Sequence, residues 1–234
     1  KAMTDAVADA RRDMSEYREY IETWVHEVKT PIASARLALE NHPGALAQCL
    51  EEDLFQIDAF VEQALFYARS GAVERDYLIR AMPLRDTAAA AVKKYAGPLI
   101  DAGFSVDLDS LTATVYSDPK WVEFILGQLL SNALKYRGEN PHVSFLQREE
   151  DASVVLVLQD NGRGIPAADL PRVFDKGFTG VNGRALPTRS TGLGLYLCKK
   201  LCARLGLGIE VDSSPGRGVS VSLVFPKGRF HLAE

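Results

Sequence analysis

A chain of 234 residues, 47% apolar and 25% charged, has the makeup of a soluble globular protein, with length for one large or two small domains. Its net charge of −4 and the lack of a basic run argue against a nucleic-acid partner, and no run of 18 apolar residues or signal peptide is visible. Cys49, Cys198 and Cys202 are an odd number without metal-ligand company, which argues against a disulfide framework or a zinc site and fits a reducing, cytoplasmic setting. The sequence starts with Lys1, inside what reads as continuing helix, so a fragment of a longer protein is expected.

Residues 4 to about 41 read as one long helix, rich in Ala, Arg, Glu and Met and free of Gly. Tyr17, Ile21, Trp24, Val28, Ile32, Ala35 and Leu39 step by threes and fours along one face. His26 lies two residues from Trp24 and from Val28, on the face opposite that stripe, and Glu27 follows it. Pro31 lacks an N–H and crowds the Glu27 carbonyl, so the helix should bend or loosen beside His26. A lone surface histidine is ordinarily just solvated; the rest of the chain must give it a task.

Asn41-His42-Pro43-Gly44 is a turn signal, and a second helix is expected from about Ala45 to Arg69. Its stripe is Leu46, Leu50, Leu54, Ile57, Val61, Ala64 and Ala68. Two helices on a short turn form an antiparallel hairpin that cannot hide its apolar surface alone. It either pairs with a second copy as a four-helix bundle, the more economical choice, or packs on the domain that follows. Ser70-Gly71-Ala72 reads as a hinge.

Beyond it, strands and helices interleave. Short strands are expected at Tyr77 to Met82, Phe104 to Leu108 and Ala113 to Tyr116, with a helix from Leu84 to Ala102 stopped by Gly103. Asp118 should N-cap a helix with Pro119 at its first position, running to about Tyr136. His142 to Arg148 and Ser153 to Gln159 form a hairpin around Glu149-Glu150-Asp151. Pro187 to Thr191 is a loop, Leu193 to Leu205 a helix carrying buried Cys198 and Cys202, and Ile209 to Val211 and Val219 to Phe225 closing strands. The expectation is an α/β sandwich: one mixed, largely antiparallel sheet with helices on one face.

Four segments of this second part could converge. In Gln128-Leu129-Leu130-Ser131-Asn132-Ala133-Leu134-Lys135-Tyr136, Asn132 and Lys135 share a helical face with Gln128 one turn earlier. An amide oxygen suits Mg²⁺, and an ammonium suits a phosphate. Asp160-Asn161-Gly162-Arg163-Gly164-Ile165-Pro166 follows a strand; the carboxylate could accept from an exocyclic amine such as adenine's, though alone the segment is an ordinary turn. In Val173-Phe174-Asp175-Lys176-Gly177-Phe178-Thr179-Gly180 and on through Asn182-Gly183-Arg184 to Arg189, aromatics would anchor a lid whose arginines meet phosphate. Thr191-Gly192-Leu193-Gly194-Leu195 opens a helix, where backbone N–H groups and the helix dipole favour an anion. It is not the dinucleotide fingerprint, which needs a preceding strand and a third spaced glycine.

In this order the segments resemble the bacterial two-component sensor histidine kinases over essentially the whole chain. His26-Glu27-Val28-Lys29-Thr30-Pro31 is similar to the family's phosphoacceptor box, and the four later segments to the nucleotide boxes of its gyrase/Hsp90/MutL-type ATP-binding fold. Trp24-Val25-His26 and Lys176-Gly177-Phe178-Thr179-Gly180 resemble the bacitracin-sensing, short-sensor subgroup. The resemblance implies an α+β chain: a helical hairpin at residues 1–70 forming a dimeric four-helix bundle, a hinge at 71–76, and a sandwich ATP-binding catalytic domain at 77–230. It implies ATP and Mg²⁺ as cofactors, and autophosphorylation of His26 with Glu27 accepting its ring proton. The phosphate would pass to an aspartate of a response-regulator receiver domain. Thr30 resembles the position that orients water when such kinases dephosphorylate their partner.

By the same resemblance, Asn132 would hold Mg²⁺ with Gln128 nearby. Lys135 and Tyr136 would contact phosphate and nucleotide. Asp160 would read adenine, Gly162 and Gly164 would shape the pocket, and Gly192 and Gly194 would cradle phosphates. Phe174, Thr191 and Leu193 complete the nucleotide-binding set. Many relatives have Asn where Gln128 stands, and the ATP-hydrolysing relatives have a glutamate base there. Glutamine cannot take up a proton, which points away from an autonomous ATPase. A membrane-anchored parent with this part in the cytoplasm is the implied setting. A gyrase-like ATPase and a degenerate ATP-binding scaffold are the alternatives.

Overall fold

The computed structural model describes residues 2–42, 44–71, 77–184 and 191–228, without the side chains of 2–15, 45, 182 and 184. The chain divides into two compact units, Lys1–Asp76 and Tyr77–Glu234.

In the first unit, α1 (Ala2–Glu40) and α2 (Ala45–Gly71) pack on each other as a hairpin. Good helix formers and the absence of Gly carry α1 for 39 residues, straight through Pro31. The loosening expected beside His26 is therefore not a break. The Thr30 hydroxyl donates to the His26 carbonyl at 3.2 Å. The seam between the helices is Val25, Ile32 and Val61, with Ile21, Val28, Leu54 and Leu65 packed against it. This corrects the stripe read from the sequence. Trp24 is 38% exposed and Val25 only 2%. Both residues fit helical spacing from Ile21, and the partner helix meets the Val25 side. Val25 thus takes the place expected for Trp24, while His26, about 100° on from Val25 and farther round from Ile21, Val28 and Ile32, stays on the exposed side as expected. Leu46, Leu50, Ile57 and Phe60 of α2 remain exposed, so a lone hairpin leaves three of the seven residues of the expected α2 stripe uncovered, and Phe60 beside them. The hinge expected at Ser70-Gly71-Ala72 falls partly outside the described residues: Ser70 and Gly71 close α2, and residue 72 is not described.

The second unit holds, in order, β1 (Arg80–Pro83), α3 (Leu84–Lys94), α4 (Ala96–Asp101), β2 (Ser105–Asp107), β3 (Thr114–Ser117), α5 (Pro119–Lys135), β4 (His142–Glu149) and β5 (Ser153–Asp160). A single 3-10 turn (Leu170–Arg172), α6 (Val181–Arg184), α7 (Gly194–Leu205), β6 (Gly208–Ser213) and β7 (Val219–Pro226) follow. The helix expected over Leu84 to Ala102 is two helices broken at Tyr95. Pro98 explains the break, since its ring excludes the bond a continuous helix would make to Lys94. Gly103, at φ +71°, ends α4 as expected.

The expectation of one sheet also needs correction. Five strands form a sheet in the order β2-β4-β5-β7-β6, with β2 parallel to β4 and the other pairs antiparallel, while β1 and β3 form a separate antiparallel pair. Val143 and Phe145 of β4, Leu156 and Leu158 of β5, and Leu223 and Phe225 of β7 are buried. α5 packs against β5 and between α3 and α7, and α7 against β6. Thus α5, the most buried helix of this unit, is the rigid element on which the first of the four segments rides.

Cys198 and Cys202 are fully buried on α7, and Cys49 is exposed. Burial pushes the Cys198 thiol up, helped by Cys202 beside it, and pushes Cys202 up to about 12. Alkylation of the native chain at pH 8 should therefore modify Cys49 alone, with Cys198 and Cys202 reacting only on unfolding. Mass spectrometry of the intact, alkylated protein reads this directly; three adducts on the folded chain would contradict it.

Candidate functional site

The second unit gathers the first two segments at one end of α5. Asp118 caps the start of that helix, accepting from the N–H groups of Lys120 (2.8 Å) and Trp121 (3.2 Å). Three turns of packed apolar residues then carry Asn132 and Lys135 to its C-terminal end, both partly exposed. Gln128, one turn earlier, is buried. Burial holds the Lys135 ammonium below the usual lysine range, and its Nζ lies 5.8 Å from the centre of the Tyr136 ring.

The Tyr136 carbonyl joins this helix end to the loop after β5. It accepts from the Arg163 N–H at 3.0 Å, and a Cβ on Gly162 would come within 2.5 Å of it. Asn161 ties the same loop to the start of β4. Its Oδ1 accepts from the His142 N–H (2.8 Å) and its Nδ2 donates to the Asn140 carbonyl (3.0 Å). Asp160 ends β5 half-buried, its Oδ1 accepting from the N–H groups of Gly162 (2.8 Å) and Val219 (3.3 Å). Burial pushes its carboxyl above the ordinary range, and the two backbone N–H groups oppose that rise.

A buttress that the sequence reading missed stands behind this loop. The turn between β6 and β7 crosses under it: Ile165 N–H donates to Ser213 Oγ (2.8 Å), Ser213 Oγ to the Gly218 carbonyl (2.6 Å), and Gly216 N–H to the Arg163 carbonyl (2.8 Å). Gly164 and Gly218 both have positive φ, and a Cβ on either would fall on backbone, that of Ser214 and of Asp160 respectively. The run Pro215-Gly216-Arg217-Gly218 is the signal that could have marked this turn.

The third and fourth segments are joined by a backbone clasp. Gly177 N–H donates to the Gly192 carbonyl at 3.0 Å, and Gly192, at φ +66°, lies so close to Gly177 that no side chain fits. Each aromatic carries a cation over its ring: Arg172 over Phe178 at 4.6 Å and Lys199 over Phe174 at 5.4 Å. Thr191 Oγ1 accepts from the Leu193 N–H (3.3 Å), and α7 begins at Gly194 with Leu193 as its cap. The remainder of the expected lid, including Arg189, lies outside the described residues, as do the side chains of Asn182 and Arg184.

The residues of the acceptor box lie in the first unit. His26, Glu27 and Thr30 are exposed on consecutive turns of α1, and one turn before His26, Glu22 pairs with Arg69 of α2 at 3.0 Å. Among the described residues no group of three or more His, Cys, Asp or Glu could hold a metal.

Residues 117–229 match the family model HATPase_c, described as histidine kinase-, DNA gyrase B-, and HSP90-like ATPase. The chain is 32% identical over 224 residues to the sensor histidine kinase YxdK of Bacillus subtilis, covering 95% of this chain and 67% of the relative. It is 32% identical over 225 residues to the sensor protein BceS of the same organism, covering 96% and 67%. The chain thus spans about two thirds of the length of these relatives, and the match to BceS fits the subgroup likeness seen around Trp24-Val25-His26. Among solved structures, that of full-length ShkA in complex with AMPPNP matches 89% of this chain and 45% of its own, with a TM-score of 0.65 and 23% identity, which establishes the fold.

Proposed function

The chain belongs to the sensor histidine kinases, which are protein-histidine kinases, and on that premise we propose that it phosphorylates its own His26 from ATP and passes the phosphoryl group to an aspartate of a response regulator. The observation that carries this reading is the coexistence, in one chain, of an exposed His26-Glu27 pair on a helical hairpin with Asn132, Lys135 and Asp160 drawn around one end of the catalytic unit. The relatives match along the hairpin as well as the ATPase-type unit, and this disfavours a gyrase-like ATPase.

We assign the roles as follows. Asp160 accepts from the adenine amine, and Gly162 and Gly164 let the backbone approach the base. Lys135, Tyr136, Gly192 and Gly194 meet the phosphates, with Phe174, Thr191 and Leu193 lining the remainder. Mg²⁺, when bound, neutralises charge on the triphosphate. The donor set fits it: the amide oxygen of Asn132 is a hard ligand, and phosphates and water would complete the shell, with Gln128 behind. Glu27 holds one imidazole N–H so that the other nitrogen attacks while neutral, and stabilises the charge that grows on the ring. Thr30 orients water in the reverse, dephosphorylating direction.

A homodimer through the hairpin supplies cover for Leu46, Leu50, Ile57 and Phe60. Each, fully buried, would contribute roughly 1.5–3 kcal/mol. Among the described residues no helix is long and apolar enough to cross a membrane; we place this part in the cytoplasm, attached to a membrane-anchored parent.

Incubation with γ-labelled ATP and Mg²⁺ tests the function. Label on protein without matching phosphate release is expected. Steady phosphate release without label would favour hydrolysis, and nucleotide binding with neither would favour a scaffold. The pocket also sets a pH dependence. The ionised Asp160 is the acceptor form and its pKa is raised, so ATP affinity should fall as pH drops through a midpoint above the ordinary aspartate range. Asp160→Asn should bind weakly and show no such midpoint in calorimetric titrations.

A further inference from the structure

Asp118 uses both of its carboxylate oxygens, and only one of them caps a helix. It is 6% exposed. Oδ1 takes the Lys120 and Trp121 N–H groups at the start of α5. Oδ2 takes the backbone N–H of Leu78 at 2.7 Å. Leu78 is the second residue of the catalytic unit, and its side chain is 70% exposed, so the backbone rather than the side chain makes the attachment. Beside it the Tyr77 ring meets the Trp121 ring edge-on, with centroids 5.6 Å apart. A cap needs a single oxygen; Ser, Thr or Asn would supply it. The second oxygen is what a carboxylate adds, and it binds the chain just where it enters this unit. The helix it caps is the one that carries Asn132 and Lys135 at its far end.

We propose that Asp118 is a positioning residue for phosphoryl transfer: its Oδ2 latches the entering chain to the N-terminus of α5 and fixes the point about which the catalytic unit swings. The proposal rests on the histidine-kinase reading. In sequence, six residues separate Gly71, the end of α2, from Leu78, and eight separate it from Arg80, where β1 begins, so loss of the latch lengthens the connection to the next backbone hold. A longer tether lowers the effective concentration of bound nucleotide at the acceptor and blurs its approach, while leaving the nucleotide pocket as it was. The length change alone is worth about 1.5-fold and the loss of orientation more, so a fall of about three- to tenfold in the transfer rate is expected.

The test compares D118N and L78P with wild type in the full chain, using γ-labelled ATP and Mg²⁺. D118N keeps a carbonyl oxygen for the cap but puts an N–H donor against Leu78. L78P deletes the donor and leaves the cap whole. Both should lower the initial labelling rate at saturating ATP about three- to tenfold, with the KM for ATP unchanged, and the double variant should be no slower than either single one. Wild-type rates in L78P, or a KM that rises as the rate falls, would overturn the latch. A wild-type chain that takes up no label at all would instead overturn the kinase reading beneath it.

Discussion

Asn132→Ala should leave the chain folded and lower Mg²⁺-dependent self-labelling by at least about a hundredfold. Asn132 is a partly exposed amide on a helix whose other face is packed, so truncation removes the proposed metal ligand and creates no core cavity. Among the described residues there is no acidic or histidine cluster able to take the ion, and Gln128 is buried one turn away. Loss of a ligand that organises charge on a transferring phosphoryl group costs several kcal/mol of transition-state stabilisation, and about 3 kcal/mol is already a hundredfold in rate. Initial labelling rates across a Mg²⁺ series, with a thermal melt as control, give the answer. Labelling at near wild-type rate would remove Asn132 from the metal role, and a collapsed melt would make it a structural residue.

Gly218→Ala should destabilise the catalytic unit and weaken nucleotide binding together, whereas Gly216→Ala, two residues away, should do little to binding. Both glycines have positive φ, +78° and +75°. A Cβ on Gly216 meets nothing, while one on Gly218 falls on the Asp160 carbonyl oxygen. Gly216→Ala bears only the cost of a left-handed conformation, roughly 1–2 kcal/mol. Gly218→Ala must also push the end of β5 aside, for a total of about 3 kcal/mol and a drop of about 10 °C in melting temperature. Because Asp160 itself moves, ATP affinity should fall at least about tenfold in Gly218→Ala. Equal effects in the two variants would mean that the turn between β6 and β7 does not support the loop proposed to read adenine.

The regular elements were legible where one periodicity stood without competition. The Asp118-Pro119 start of α5 and the hairpin of β4 and β5 carry local signals, a cap, a proline at the first helical position and a charged turn, that no distant contact had to supply. Reading failed where two registers fit the same residues. Trp24 and Val25 both extend the stripe from Ile21, and only the approach of α2 decides for Val25. The separate pairing of β1 with β3 was invisible for a related reason: four-residue strands carry too little pattern to choose a partner. Pro98 is a local break signal, set in an Ala-rich run whose helix propensity masks it. At the proposed site, Asn132, Lys135, Asp160 and the glycines were readable as residue types at meaningful spacing. Ser213, Gly218 and the second oxygen of Asp118 did not, because their work is done on backbone groups far along the chain.

The acceptor itself is the point on which all of this turns. The wild-type chain, labelled with ATP and Mg²⁺, digested at alkaline pH and mapped by mass spectrometry, should carry a single acid-labile, alkali-stable phosphate on the peptide containing His26, and His26→Gln should carry none. Phosphate on any other residue, or undiminished label in His26→Gln, would mean that the exposed imidazole beside Glu27 is a solvated surface residue and that the phosphoryl group goes elsewhere.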